Sequence, residues 1–188
     1  MAVLKLTETG FPGLVIIDPS IFADDRGYFF ESFNQRSTDI AGIDFKPMQY
    51  NESCSVYGVI RGLHFQNQPH AQAKIIRVVE GEIYDVALDI RKGSPTYGKW
   101  FGVKLSSENK RQFFVPKGFA HGFSVLSKKA IVLYKCDAYY SQKDEGGINA
   151  LDPRLGIDWG IRKGEEVLSL KDKSNPMFKD AEHNFNFQ

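Results

Sequence analysis

The chain has 188 residues, the size of one domain, and apolar residues make up 42% of it. This is enough for a buried core and excludes a disordered protein. Its 24 Lys and Arg residues against 23 Asp and Glu residues give a formal net charge of +1, so nothing in the charge points to nucleic acid or a membrane surface as the main partner. We therefore expect a single domain over residues 1–188.

Nine short apolar runs predict an all-β fold. They are rich in Val, Ile, Phe and Tyr, and turn signals such as those at 25–27 and 116–118 separate them. In chain order, the runs cover residues 13–17, 28–33, 59–66, 74–79, 82–90, 99–105, 112–115, 119–126 and 130–136. Many short strands at regular spacing are typical of a sandwich or a small barrel.

Three further local patterns complete the prediction. A short helix is predicted over residues 34–43, since Asn34 is a favourable N-cap. About the last 40 residues lack a regular pattern, and such a segment usually wraps the surface or carries function. Within 83–88, Ile83, Asp85 and Ala87 alternate with the residues between them. We expect one of these two faces in the core and the other toward a cavity or solvent.

Four polar residues interrupt the apolar runs. They are His64, Lys74, His121 and Tyr134. Taken singly, each has an ordinary structural interpretation: a hydrogen-bonded core histidine, an edge lysine or a packed tyrosine with its hydroxyl satisfied. Because a buried charge is costly unless it is paired, four such residues together favour a polar cavity inside a barrel.

The histidines do not form a convincing metal site. Residues 116–121 have the PxGxxH form of the second motif of metal-binding cupins, but the first motif requires His-x-His followed by Glu. Here His64 is followed by Gln66 in the third position, while His70 lies in a polar loop and His183 in the tail. Two imidazoles are too few for bound iron or zinc. Nucleotide-cofactor glycine motifs and a GxSxG motif are also missing, so we predict no metal and no cofactor.

Blocks of sequence along nearly the whole chain match one known family. The most specific are RGLHFQ at 61–66 and PKGFAHGF at 116–123. Other matching blocks lie at 11–14, 25–29, 49–53, 69–74, 85–91, 94–98, 134–135, 139–140, 152–153 and 169–172. The chain thus resembles the dTDP-4-dehydrorhamnose 3,5-epimerases. The resemblance implies a cupin-type jelly-roll β-barrel without metal, with short peripheral helices and an irregular C-terminal segment, which forms a homodimer.

The resemblance also implies a reaction. The family substrate, dTDP-4-keto-6-deoxy-D-glucose, has a ketone at carbon 4, and inversion at carbons 3 and 5 gives dTDP-4-keto-L-rhamnose for dTDP-L-rhamnose biosynthesis. Loss of a hydrogen beside the ketone produces an enolate, so inversion needs a base on one face and an acid on the other. The matching residues are His64 as base, Asp172 as its partner, Lys74 beside the ketone and Tyr134 as acid.

Nine further residues match substrate-binding positions of the family. Two arginines are expected at the pyrophosphate, three residues at the base and sugar, one histidine at the ketone, one tyrosine stacked on thymine, and two charged residues in binding segments. In that order they are Arg26, Arg61, Glu31, Gln49, Asn51, His121, Tyr140, Glu145 and Lys171.

The N-terminal residues, the lengths of the apolar runs and the two cysteines predict a cytoplasmic protein. Charge interrupts residues 1–8 before an apolar signal core could form, and no run approaches the roughly 20 apolar residues of a membrane helix. Cys54 and Cys136 lack CxxC spacing and are expected to be small, buried, reduced residues.

Three other functions remain open at this stage. A metal-dependent cupin oxygenase or sugar isomerase would contain bound metal. A non-catalytic sugar-nucleotide-binding protein would need no acid–base set, so the presence of His64, Lys74, Tyr134 and Asp172 argues against it. A single-centre epimerase of another deoxysugar pathway would invert only carbon 3 or carbon 5, and Tyr134 favours double inversion.

Overall fold

The computed structural model describes residues 4–188 and consists mainly of antiparallel β-strands. The strands are β1 (Lys5–Glu8), β2 (Val15–Asp18), β3 (Phe22–Asp24), β4 (Gly27–Phe29), β5 (Gln49–Val56), β6 (Ile60–Gln66), β7 (Lys74–Glu80), β8 (Glu82–Asp89), β9 (Trp100–Ser106), β10 (Gln112–Val115), β11 (Phe119–Val125), β12 (Lys129–Cys136) and β13 (Glu145–Gly147). Each of the nine predicted runs overlaps one of these strands. The sequence did not predict β1, β3, β5 or β13.

Two sheets face each other. A six-stranded sheet has the order β1-β2-β10-β7-β12-β5, and a five-stranded sheet has the order β13-β6-β11-β8-β9. The remaining two strands, β3 and β4, form a separate hairpin. This arrangement is the cupin-type jelly roll that the sequence predicted.

The main core lies between the two sheets. It is built from residues of β2 and of β7 to β12, including Ile76 and Val132 from the larger sheet and Ala87 and Phe123 from the smaller one. The same inward-facing positions carry Lys74, Asp85, His121 and Tyr134 toward one end of the barrel, since side chains on one face of a strand recur every second residue.

Two further apolar clusters cover the outer faces of the sheets. The segment at 33–45 packs on β2, β7 and β10 through residues such as Phe45. The C-terminal segment packs on β6, β8 and β11 through residues such as Ile148 and Trp159.

Both faces of β8 are consequently buried, with Val86 and Leu88 fully covered. The expectation that one face of this strand is open to a cavity or solvent was wrong, because the C-terminal segment covers the outer face.

Helices are short and peripheral. The first, α1 (Gln35–Ile40), begins after Asn34, whose side chain accepts a hydrogen bond from the Ser37 backbone N–H at 3.3 Å. The second, α2, covers Leu170–Ser174, and single 3₁₀ turns cover Gln142–Asp144 and Phe178–Asp180. Within residues 4–188, no helix has the length and apolar character needed to cross a bilayer.

The outer side of the β5 edge is left uncovered by the described residues. Tyr50 and Val56 are exposed there, as is Cys54 between them. Cys136 is buried, as predicted, but the same prediction was wrong for Cys54, since alternation along β5 turns its thiol outward. Both thiols are free.

Two glycines bring β6 and β11 unusually close together. Gly62 has φ +132°, and a Cβ on it would lie 2.5 Å from the Gly122 Cα atom, so neither position has room for a side chain. The pairing register of the two strands shifts between His121 and Phe123, and His121 lies directly opposite His64. The local distortion therefore presents both histidines at the same end of the barrel.

Candidate active site

A cavity of about 310 Å³ opens between the sheets at this end of the barrel. Its walls carry Ser53, Arg61, His64, Lys74, Ile76, His121, Phe123, Val132, Tyr134, Ser169, Lys171 and Asp172. A smaller cavity of about 140 Å³ adjoins it and shares three of these residues, His64, Lys74 and Tyr134. The predicted polar cavity inside the barrel is therefore present.

Eleven of the thirteen predicted site residues line one or both cavities. They are Gln49, Asn51, Arg61, His64, Lys74, His121, Tyr134, Tyr140, Glu145, Lys171 and Asp172. These residues come from six strands, from α2 and from the segment after β12. No local stretch of sequence could hold them together, so the two-sheet topology is what assembles the site.

Arg26 and Glu31 line neither cavity. Arg26 lies in the exposed turn of the β3–β4 hairpin, and its guanidinium contacts the Asp24 carboxylate at 2.5 Å. Glu31 follows the hairpin and accepts a hydrogen bond from the Asn34 side chain at 2.8 Å. Within one chain, these two predicted binding residues are thus apart from the others.

His64 and Asp172 form a direct pair. The His64 Nε2 atom lies 2.5 Å from the Asp172 Oδ1 atom. A carboxylate oxygen only accepts hydrogen bonds, so Nε2 carries the hydrogen and Nδ1 is the nitrogen able to accept a proton. This tautomer is the one in which an imidazole oriented by a carboxylate works as a general base.

The position of Asp172 follows from a helix cap. Ser169 precedes α2, and its hydroxyl oxygen accepts a hydrogen bond from the Asp172 N–H at 3.0 Å. The same hydroxyl donates to Asp172 Oδ2 at 2.8 Å. Burial opposes ionisation of the Asp172 carboxyl, but the hydrogen bonds from His64 and Ser169 lower its pKa overall. Asp172 is therefore ionised whenever His64 works as a base.

A second histidine–carboxylate pair lies beside the first. The His121 Nε2 atom is 2.7 Å from Asp85 Oδ1, and Asp85 is fully buried. Burial raises the pKa of Asp85, while His121 and Lys74 act in the opposite direction. The sequence analysis placed Asp85 on one face of a strand but did not recognise it as part of the site.

Lys74 provides a cation inside the barrel. Burial lowers the pKa of its ammonium below the usual value of 10.5, and nearby Cys136, Asp85 and Glu145 partly offset this effect. A partly desolvated cation in such a position interacts strongly with a developing negative charge, because the surrounding dielectric is low. Lys74 is therefore placed to stabilise an oxyanion.

Tyr134 stands on the wall opposite His64. Its strand, β12, belongs to the six-stranded sheet, whereas β6 with His64 belongs to the five-stranded sheet. Burial raises the pKa of the Tyr134 phenol above its usual value, with Cys136 adding to this effect and Arg61 opposing it. The phenol is therefore protonated at neutral pH, so the cavity has an imidazole on one wall and a protonated phenol on the other.

The Glu145 carboxylate, at the smaller cavity, joins three of the predicted binding residues through hydrogen bonds. The Tyr140 hydroxyl donates to Glu145 Oε2 at 2.8 Å, and Lys171 Nζ donates to the same oxygen at 2.6 Å. Burial would raise the pKa of Glu145, but the hydrogen bonds from Lys171 and Tyr140 lower it overall. Tyr140 itself is 54% exposed, so its ring is accessible.

The structure gives no set of metal ligands at the cavity. Among residues 4–188, no three side chains of His, Cys, Asp or Glu converge in the way a metal ion requires. His64 and His121 are each hydrogen-bonded to their own carboxylate. Gln66, at the position of a cupin ligand, uses its amide in hydrogen bonds to backbone atoms.

The fold is a cupin-type jelly roll, and its polar cavity has His64 and Tyr134 on opposite walls, an arrangement suited to an isomerase. A sequence profile described as dTDP-4-dehydrorhamnose 3,5-epimerase matches residues 8–180. The chain belongs to the dTDP-4-dehydrorhamnose 3,5-epimerase family.

Individual relatives agree with this assignment. The dTDP-4-dehydrorhamnose 3,5-epimerase of Shigella flexneri is 47% identical over 181 residues, covering 96% of this chain and 99% of the relative. The crystal structure of dTDP-6-deoxy-D-glucose-3,5-epimerase from Legionella pneumophila, in complex with dTDP-4-keto-L-rhamnose, superposes with a TM-score of 0.93. It is 46% identical and covers 98% of this chain and 99% of its own.

A more distant relative is named for a different specificity. A 3′-monoepimerase from Streptomyces bikiniensis, in complex with dTDP-quinovose, superposes with a TM-score of 0.83 at 34% identity. The match covers 89% of this chain and 84% of that one. The fold is therefore common to single-centre and double-centre epimerases.

Proposed function

We propose that this protein inverts carbons 3 and 5 of dTDP-4-keto-6-deoxy-D-glucose and so produces dTDP-4-keto-L-rhamnose for dTDP-L-rhamnose biosynthesis. The observation that carries the proposal is the placement of His64 and Tyr134 on opposite walls of one cavity, with Lys74 beside them. The relatives with 46–47% identity are named as 3,5-epimerases, whereas the 3′-monoepimerase is 34% identical. This difference supports double inversion.

The first step of the proposed mechanism is proton removal. The ketone at carbon 4 acidifies the hydrogens on carbons 3 and 5, and His64 Nδ1 accepts one of them. Asp172 stabilises the imidazolium that results, since it already accepts the Nε2 hydrogen at 2.5 Å. The electrons of the broken C–H bond form an enolate, whose oxygen is stabilised by the Lys74 ammonium. His121 lines the same cavity, but its Nε2–H is already donated to Asp85.

The second step is proton return from the other face. Tyr134 donates its phenolic proton to the carbon, which inverts the centre, and the enolate collapses back to the ketone. Because burial raises the pKa of Tyr134, the phenol is a donor at neutral pH. After each of the two inversions, His64 releases its proton to solvent and the Tyr134 phenolate takes one up, so that the same pair can act on the second carbon. No redox change or external electron carrier is needed, so the proposal includes no cofactor and no metal.

The nucleotide end of the substrate is assigned to the remaining cavity residues. Arg61 and Lys171 supply positive charge in the larger cavity, where a pyrophosphate would be held. Tyr140 offers an exposed ring for the thymine, next to Gln49 and Asn51 in the smaller cavity.

The proposal also includes a homodimer of single-domain chains in the cytoplasm. The β3–β4 hairpin exposes Phe22 by 59% and Phe29 by 68%, and such apolar exposure favours burial against another surface. Arg26 and Glu31 lie on or next to this hairpin and line neither cavity of their own chain, so we assign them to the nucleotide site of the second copy. Two free thiols, Cys54 and Cys136, are compatible with a reducing compartment.

The reaction is tested by proton NMR of dTDP-4-keto-6-deoxy-D-glucose with the protein in deuterated water. We expect deuterium at carbons 3 and 5 and conversion to the L-rhamno configuration, with full activity after dialysis against a strong chelator. Exchange at one carbon alone would identify a single-centre epimerase. Activity that is lost on chelation and restored by iron, zinc or manganese would overturn the metal-free mechanism.

Arg61 is predicted to bind the nucleotide part of the substrate. Its Nε atom donates to Ser55 Oγ at 2.9 Å, which holds the guanidinium at the cavity wall. We expect Arg61→Ala to weaken dTDP binding by roughly 1.5–3 kcal/mol, the usual contribution of a charged hydrogen bond. Calorimetric titration with dTDP measures this, and Arg162→Ala, an exposed arginine outside the cavities, is the control. Unchanged affinity in Arg61→Ala would make Arg61 a structural residue.

Lys74 is predicted to impose opposite pH dependences on rate and stability. In the folded protein the pKa of Lys74 lies below the usual 10.5, which applies to the unfolded chain. Between these two pKa values Lys74 is protonated in the unfolded chain but not in the folded protein. The free energy of unfolding therefore rises with pH in this window. Over the same window, loss of the cation should lower kcat. We expect kcat to fall with rising pH as the ammonium loses its proton below the usual lysine pKa of 10.5, while the stability relative to Lys74→Met increases. A kcat that stays constant up to that usual pKa would argue against a catalytic Lys74 cation.

A further inference from the structure

The segment at 138–141, between β12 and the following 3₁₀ turn, is held by three glutamine side chains. Gln72 Nε2 donates to the Ala138 carbonyl at 2.8 Å, and Gln49 Oε1 accepts from the Tyr140 N–H at 2.8 Å. Gln66 makes two contacts: its Nε2 donates to the Tyr139 carbonyl at 3.2 Å and its Oε1 accepts from the Ser141 N–H at 2.8 Å. Four consecutive residues are thus each bound by a glutamine amide.

These contacts replace a missing sheet partner. A side-chain amide has the same donor and acceptor groups as a peptide bond, so glutamines can satisfy a backbone that no strand pairs with. Gln66 is the central member, because it is 5% exposed and both ends of its amide are used. Its Nε2 also donates to the His70 carbonyl at 2.6 Å. A residue with its amide fully engaged at this depth has little freedom to move.

The segment carries the aromatic residue of the proposed nucleotide site. Tyr140 lines the smaller cavity together with all three glutamines. Its hydroxyl is fixed separately by Glu145, and Glu145 is paired in register with Gln66 across β13 and β6. The backbone and the hydroxyl of Tyr140 are therefore both anchored, although 54% of the residue is exposed. Exposed aromatic residues on connecting segments are otherwise mobile.

We propose that Gln66, assisted by Gln49 and Gln72, is a positioning residue that fixes the Tyr140 ring for stacking on the nucleobase. This inference rests on the proposed function, since it takes the base to bind at Tyr140. Gln66 occupies the position at which metal-binding cupins have a histidine ligand. In this chain the same inward position of β6 organises the nucleotide end of the cavity.

A double-mutant cycle on dTDP affinity tests the proposal, because residues that act through one another do not add. Tyr140→Ala should weaken dTDP binding about 10- to 100-fold, the range of a lost base–aromatic stack. Gln66→Ala should weaken it about tenfold, through loss of buried hydrogen bonds that orient the ring. In the Tyr140→Ala background, Gln66→Ala should cause less than about a twofold further loss. The KM for the dTDP-sugar should rise with Gln66→Ala, while kcat stays within about threefold because His64 and Tyr134 are untouched.

Ser124→Ala is the matched control. Ser124 is fully buried on the neighbouring strand β11, and its hydroxyl donates to the Trp159 carbonyl at 2.6 Å. Its replacement should lower stability without changing dTDP affinity. If Gln66→Ala does not fold, Gln72→Ala serves in its place. Gln72 is a half-buried loop residue, and its replacement removes only the hydrogen bond to the Ala138 carbonyl. This variant should weaken dTDP binding in the same non-additive way.

Additive losses, or wild-type dTDP affinity in a folded Gln66→Ala protein, would overturn the positioning role. This result is distinguishable from failure of the proposed function, since dTDP binding is measured without turnover. A wild-type protein that binds dTDP but does not epimerise the sugar would refute the reaction and leave the cycle interpretable.

Discussion

Replacing His64 with Asn is expected to abolish both hydrogen exchange and inversion at carbons 3 and 5, with a loss of about 10²–10⁴-fold or more. Asn retains a side chain that can hydrogen-bond to Asp172, but it cannot accept a proton at neutral pH. Exchange and inversion fall together because both require the same first step, removal of the hydrogen beside the ketone.

The partner carboxylate gives a graded comparison. In Asp172→Asn, the amide oxygen can still accept the His64 Nε2 hydrogen. The hydrogen bond that Ser169 donates to Asp172 Oδ2 can be replaced by one in which the amide nitrogen donates to the Ser169 hydroxyl, so the imidazole keeps its orientation. Only the negative charge that stabilises the imidazolium is lost, and we expect a smaller decrease than in His64→Asn. Deuterium exchange followed by NMR measures both variants.

The control for His64→Asn is His183→Asn, which removes an imidazole in the C-terminal tail, outside both cavities. It should leave turnover unchanged. A folded His64→Asn protein that exchanges hydrogen at the wild-type rate would show that another group is the base, and the proposed mechanism would then be wrong.

The sequence predicted the main strands whose inner faces are apolar, and among the strands it missed is β5, whose inner face is polar. β5 reads QYNESCSV, and its inward residues include Gln49, Asn51 and Ser53, all of which line a cavity. Because strand prediction relies on alternating apolar residues, a strand that faces the active site loses that signal. β5 was therefore overlooked for the same reason that it is functionally important.

Regular alternation along a strand does not explain the relative positions of two residues of the site. Arg61 and His64 have opposite parity along β6, which would put them on opposite faces of a regular strand. Both line the larger cavity, because the chain is distorted at Gly62 and the register with β11 shifts there. The glycine was visible in the sequence, but the direction of the distortion depends on the close approach of Gly122.

Pairs between distant segments were the least predictable part of the site. Asp172 is 108 residues from His64 and lies in an irregular, charged stretch that composition alone would assign to solvent. Family resemblance identified it, and the structure places it at the first turn of a helix capped by Ser169. Asp85 was assigned to one face of its strand from the alternation, but its pairing with His121 depends on the adjacency of β8 and β11.

The second large effect is expected from Tyr134→Phe, which should separate exchange from inversion. The substitution removes a single hydroxyl and keeps the ring that packs against the inner core, so the fold should persist. His64 can still remove the hydrogen beside the ketone, and a solvent-derived deuteron can return from the same histidine. We therefore expect deuterium incorporation at carbon 3, carbon 5 or both with retained configuration.

Inversion in this variant should fall by about 10²–10⁴-fold, the usual contribution of a positioned general acid. The decrease should be largest at carbon 5, where the family resemblance places this acid. Tyr84→Phe is the control: Tyr84 is a half-buried strand tyrosine that packs on the outer face of β8, away from both cavities. It should not affect either measurement.

The two measurements distinguish the possible roles of Tyr134 because they respond to different steps. A purely structural tyrosine would lower exchange and inversion equally, through a misplaced His64 or a less stable fold. A proton donor on the wall opposite His64 would lower inversion alone, since the base still acts from its own side of the sugar. Inversion of both carbons at nearly the wild-type rate in Tyr134→Phe would mean that the phenol only packs and that another group on the six-stranded sheet returns the proton.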